Sequence, residues 1–131
     1  MNDKFLSPYT GDNLKLIRLG RQKDGGYVIP DHPVLQELPL LSAGIGEETS
    51  FDHDYCERYN TEVWQFDRTV KKPGVIRQNI YSLDDFWDHV PQAEYALSMD
   101  IEGSEWAVLR DSTPGDWSLF PIITLEAHEF H

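Results

Sequence analysis

The sequence predicts an α/β protein: a mostly parallel sheet of about five strands with flanking helices and an N-terminal hairpin. Three observations predict it. Apolar runs of strand length alternate with segments of helical period from residue 38 onward. The run "LPLLSAGI" is apolar without alternation, as a strand covered on both faces must be. A Gly-x-Gly turn follows that run and leads into a helical segment, the order found where the first strand of a parallel sheet hands over to its helix.

Each element has its own signal. Residues 14–30 read as a hairpin, with "LKLIRLG" and "GYVIP" as strands and Asp24-Gly25-Gly26 supplying the positive-φ tolerance of a tight connection. "DHPVLQEL" reads as one short helix, with Asp31 as its cap and Pro33 near the first helical position. The core of the fold then runs over residues 38–131, with "LPLLSAGI" as its central strand. In "ETSFDHDYCERY" Thr49 stands three residues before Asp52, the spacing of a capping box, and Phe51, Tyr55 and Tyr59 share one stripe, so a helix begins at the glycine turn. "TEVWQFD" is a second strand ending in Asp67, and "GVIRQNIY" a third. Ser82 and Asp85 in "SLDDFWDHV" repeat the capping-box spacing before a helix that turns Phe86 and Trp87 inward. "EYALSMDI" is a fourth strand, "SEWAVLRD" a short helix pairing Trp106 with Leu109, and "PIITLEAHEF" the last strand. Strands alternating with helices imply right-handed crossovers. Trp64, Trp87 and Trp106 read as core residues and Trp117 as exposed on a loop, while His32, His53 and His89 read as surface residues.

Composition narrows the class of function. A chain of 131 residues is expected to form a single domain over 1–131, burying roughly two thirds of its unfolded surface. Its net charge of −12 should repel phosphate backbones and anionic lipid, so neither nucleic acid nor a membrane surface is an expected partner. Cys56 stands alone, which rules out an internal disulfide and a four-cysteine zinc site. No apolar run approaches the ~20 residues of a membrane span, and the first residues have no leader pattern, so the reading is of a soluble, cytoplasmic protein.

The glycine turn points to a ligand. In open parallel sheets ligands sit beyond the carboxyl ends of the strands, where the strand order reverses. At Gly44, Ile45 and Gly46 the backbone can approach a ligand closely, and a side chain added at Gly44 is expected to disturb binding more than folding. Asp67 follows about twenty residues later at a strand end, where a carboxylate can accept both hydroxyl hydrogens of a ribose. The third glycine of a dinucleotide site is absent, since Thr49 stands in its place. S-adenosylmethionine has a ribose and an amino-acid end but no pyrophosphate, so it suits this pattern better than NAD.

Four segments, "RLGRQKDGGYVIP", "LLSAGIGEETSFD", "VWQFDRT" and "LSMDIEGSEWAVL", together resemble the FkbM-type S-adenosylmethionine-dependent methyltransferases over roughly residues 16–128. The most specific piece is Met99 to Trp106. The resemblance implies a Rossmann-like class I methyltransferase fold, with Gly44, Gly46 and Asp67 on the cofactor. It further implies that Asp100 and Glu102 close the site from the fourth strand and that Glu126 with His128 ends the fifth. Two departures stand out. Between Asp67 and Ser82 the chain has only "RTVKKPGVIRQNIY" where the family carries a helix, a full third strand and an adenine-contacting loop. The helix and two strands that ordinarily follow the fifth strand do not appear in this sequence. The edge left uncovered suggests a homodimer pairing near residues 121–130.

Methyl transfer needs an aligned acceptor and, for a hydroxyl, removal of a proton. His128, with an ordinary pKa near 6.5, and Asp100, at a strand's carboxyl end, are the candidates for that step. The expected function is methylation of a small hydroxylated acceptor. Two alternatives are a cofactor-binding module without turnover and a metal-dependent hydrolase built on Asp100, Glu102, Glu126 and His128, whose hard oxygens and imidazole suit magnesium, manganese or zinc. No metal is assigned.

Overall fold

The computed structural model describes residues 15–22, 26–45, 49–101 and 105–126. Strands β1 (Lys15–Leu19) and β2 (Tyr27–Asp31) form an antiparallel pair, Lys15 opposite Asp31 and Leu19 opposite Tyr27. The main sheet holds β3 (Leu40–Ala43), β4 (Val63–Phe66), β5 (Val75–Ile76), β6 (Ala96–Met99) and β7 (Ile122–Leu125). Its order is β5-β4-β3-β6-β7 and every pairing is parallel. The helices are α1 (Ser50–Tyr59), α2 (Glu105–Asp111) and α3 (Pro114–Trp117), with 3-10 turns at Pro33–Glu37 and Leu83–Asp88. This is the Rossmann-like fold expected from the sequence, hairpin included. Among the described residues no helix is long and apolar enough to cross a membrane.

Side-chain alternation on the strands divides the interior into two layers. Leu40 and its neighbours Val63 and Ala96 face α1 and the hairpin, packing with Leu19, Ile29, Leu35, Phe51, Tyr55 and Tyr59. Leu41, Ala43, Phe66, Leu97 and Met99 face the opposite way, against Phe86, Val90, Val108 and Phe120. Because β3 lies between strands on both sides and layers on both faces, all four of its residues are buried, which is why its sequence does not alternate.

Local details differ from expectation at several points. The turn at Pro33–Glu37 is capped by His32, whose Nδ1 accepts the Val34 N–H, and not by Asp31. Asp31 ends β2 and accepts hydrogen bonds from Arg58 (3.1 and 2.5 Å) and from the Tyr59 hydroxyl (2.8 Å), clamping the hairpin to the end of α1. Thr49 makes no side-chain cap on α1, and the Asp52 carboxylate that would complete the box turns into the sheet. The Ser82–Asp85 capping box is formed, although it opens a 3-10 turn. The third strand shrinks to two residues. On α2 the buried positions are Glu105 and Val108, while Trp106 and Leu109 are 41% and 40% exposed. Trp117 packs against the core, the reverse of its expected exposure, because Thr113 and Asp116 form a capping box that turns "TPGDW" into α3.

Candidate active site

The site is built where the sheet changes direction. From β3 the chain crosses through α1 to β4 on one side and later returns through β6 on the other, opening a crevice at the strands' carboxyl ends. The ladder runs one residue past each strand: Gly44 N–H donates to Phe66 O (2.8 Å), Asp100 N–H to Ala43 O (3.0 Å), and Asp67 N–H to Ile76 O (3.0 Å). Gly44, Asp67 and Asp100 therefore stand side by side, and all three line one cleft of about 200 Å³. That volume is below the roughly 300–1,000 Å³ of small-molecule pockets, and residues 46–48 and 102–104, which follow Ile45 and Ile101 in the chain, lie outside the described residues.

Gly44 has φ +76°, and a Cβ built on it would run into the carbonyl of Asp100 and the Ile101 side chain. Its missing side chain makes room for the neighbouring strand end, which corrects the expectation that a side chain there would disturb a ligand first. Ile45 is only 8% exposed, so little of it is open to a ligand. Asp67 is half-buried and its Oδ1 accepts from both the backbone N–H (2.8 Å) and the hydroxyl (2.7 Å) of Thr69, an Asx turn that fixes the carboxylate at the cleft wall. Asp100 is half-buried on the opposite wall.

The short segment after Asp67 supplies more of the cleft than its length suggested. Arg68, Thr69, Gln78, Asn79 and Ile80 line it, with Ile101 across from them. Asn79 Nδ2 donates to the Tyr81 hydroxyl (2.8 Å), and Gln78 contacts His89, so both amides are held by neighbours outside the cleft. The sequence reading missed these residues. The Asp-x-Thr spacing of an Asx turn was the signal available, whereas Gln78 and Asn79 follow a strand too short to announce itself.

Of the other predicted site residues, Gly46, Glu102 and His128 lie outside the described residues. Glu126 is exposed and its N–H continues the ladder to Met99 O (3.0 Å). Among the described residues no group of three or more His, Cys, Asp and Glu is arranged to hold a metal ion. Cys56 is unsuited to nucleophilic work, since burial first, then the negative charge of Asp52 and Glu62, pushes its thiol up to about 11.

The residues present suit the nucleoside part of a methyl donor: a fixed carboxylate for paired hydroxyls on one side, and the half-buried Ile101 as apolar surface for a flat base. No curated protein and no solved structure matches this chain. The family model described as the methyltransferase FkbM domain matches residues 9–131. With a match over nearly its whole length and the parallel sheet such a domain requires, the chain belongs to the FkbM methyltransferase family.

Proposed function

We propose that this protein is an S-adenosylmethionine-dependent methyltransferase acting on a small hydroxylated acceptor. The observation that supports it most directly is the meeting of Gly44, Asp67 and Asp100 on one cleft at the switch point of the sheet, within an FkbM domain. Bound there, S-adenosylmethionine supplies a methyl group already activated by its sulfonium. What is left to the chain is to hold, align and deprotonate. Asp67 accepts hydrogen bonds from the ribose hydroxyls, and Ile101 shields the purine from water. Gly44, Ile45 and Gly46 offer backbone to the ligand, and Glu102 closes the site beside Asp100. Asp100 takes the acceptor's proton, with His128 as the second candidate for that role. The net charge of −12 favours a cationic sulfonium over anionic dinucleotides and leaves polyphosphate acceptors disfavoured.

Thermal unfolding with and without S-adenosylmethionine and S-adenosylhomocysteine tests this reading. A ligand at 100 times its dissociation constant should stabilise the wild type by about 2.7 kcal/mol. Asp67→Asn keeps the oxygen that holds Thr69 while removing the charge offered to the ribose, so it should fold normally and lose most of the ligand-dependent shift. Methyl transfer to a panel of hydroxylated acceptors then separates an enzyme from a binding module. Absence of any shift with either ligand would overturn the reading, and a shift with divalent metal alone would favour the hydrolase.

A further inference from the structure

We infer that Asp52 is a positioning residue of this site: its buried carboxylate fixes the start of α1 against the two strands whose ends carry Gly44 and Asp67. Asp52 is 5% exposed, and carboxylates are rarely so buried unless they are held by partners. It accepts a hydrogen bond from Ser42 Oγ (3.0 Å) on β3 and another from Gln65 Nε2 (2.9 Å) on β4. Ser42 and Gln65 are register partners across the β3–β4 pair. Each stands two residues before a cleft residue, Ser42 before Gly44 and Gln65 before Asp67, so both lie one pleat repeat below the cleft. One carboxylate thus joins three elements directly beneath the point where they open onto the ligand.

Stability alone does not call for this arrangement, since a buried charged group is often replaced by an apolar residue without loss. The layer above it is apolar, with Phe51 and Tyr55 on either side of Asp52 in the helix. Two neighbouring polar side chains bond to the hairpin. Ser50 Oγ accepts from Arg21 N–H (3.0 Å) and Asp54 Oδ2 from Gly20 N–H (2.8 Å), both on the hairpin. What hydrogen bonds add that packing does not is a single register between helix and strands. Asp52 sits at the capping-box position relative to Thr49 but does not cap, because its carboxylate is committed to the sheet.

The inference rests on the cofactor reading for its effect on ligand, but its structural part is tested without one. Amide hydrogen exchange on the unliganded protein should show faster exchange in Asp52→Ala at the ends of β3 and β4 and in the first turn of α1, with little change in β6 and β7. Titration with S-adenosylmethionine should show affinity reduced about tenfold or more, as expected when a displaced scaffold misaligns a site. Asp52→Asn, which can still accept from one neighbour while the Gln65 amide turns over to meet its NH2, should restore most of that affinity. Tyr55→Phe removes the hydroxyl bond to Leu38 O (2.9 Å) one turn further along the same helix, away from the cleft residues, and should lower the melting temperature with affinity unchanged. Ser42→Ala removes one anchor while leaving the carboxylate, covering the case in which Asp52→Ala does not fold, and should weaken binding in the same direction. Unchanged affinity in Asp52→Ala, or the same loss of affinity in Tyr55→Phe, would overturn the inference. A wild type that binds no S-adenosylmethionine would overturn the cofactor reading instead, and uniform exchange across the sheet in Asp52→Ala would then overturn the positioning role as well.

Discussion

Gly44 shows how a residue's role differs from the reason it is noticed. Its place after an apolar strand marks it as a ligand-facing turn, yet the space its missing Cβ vacates is filled by the Asp100 carbonyl. At φ +76° any L side chain is strained by about 1–2 kcal/mol before the collision is counted. Gly44→Ala should therefore destabilise the protein by at least about 2 kcal/mol, visible as a lowered midpoint in urea. A variant that keeps its midpoint but loses ligand binding would return Gly44 to the role of a cradle. Asp67 was legible because a carboxylate at that distance from a glycine turn has a defined use. Its Asx turn with Thr69 gives the same carboxylate a hold on the backbone, so Asp67→Ala would disturb the backbone as well as the site. Asp52 was legible only as a capping residue. Its burial depends on Ser42 and Gln65, which meet it only after β3 and β4 have paired, so no local pattern announces it.

At the scale of elements, the strands were legible where they are long and covered, and the helix ends where side chain and backbone satisfy each other locally. The Ser82–Asp85 box is local and formed as read. The Thr113–Asp116 box has the same spacing, with Pro114 at the first helical position, and α3 was there to be read from it. The clamp between Asp31, Arg58 and Tyr59 was not legible, since its partners are 27 and 28 positions apart. It ties β2 to the end of α1. The Arg58 guanidinium first, then the Tyr59 hydroxyl, holds the Asp31 carboxyl below its usual range, and Asp31 in turn helps raise the Tyr59 phenol to about 12 behind the larger effect of burial. A depressed folded-state pKa contributes stability that is present above the ordinary carboxylate range, near pH 4, and is lost as the pH falls through the lower folded value. Asp31→Asn should cost about 1 kcal/mol at pH 7, the partial exposure of the pair keeping it modest, and the difference from wild type should vanish toward pH 2. A difference that persists in acid would mean that the clamp works through packing and not through charge.

The whole molecule is two apolar layers sharing one sheet, and its edges and its cooperativity follow from that. β7 is an edge strand among the described residues, with no charged residue within Ile122–Leu125 and Ile123 39% exposed. The proposal that a second copy pairs with this edge predicts an unfolding midpoint that rises with protein concentration, and a midpoint independent of concentration would exclude it. β3 and β6 are each buried at all four positions, so neither alternates, and β3 could be placed at the centre only by its apolar run. That central strand carries Leu40 to one layer and Leu41 to the other, at 1% and 0% exposure. Leu41→Ala should cost about 2–5 kcal/mol, a large part of the roughly 5–15 kcal/mol that holds a domain of this kind together. Trp64, Trp87 and Trp117 pack with the Leu41 layer together with Tyr95, whereas Tyr27, Tyr55 and Tyr59 pack with the Leu40 layer, so tryptophan reports on the first layer and three of the four layer tyrosines on the second. Because β3 belongs to both, the Leu41→Ala variant should lose tryptophan and tyrosine signals at one lowered urea midpoint, even though the substitution touches only the tryptophan side. Two separated transitions, tryptophan first, would show that the hairpin, α1 and their face of the sheet hold together without the other layer.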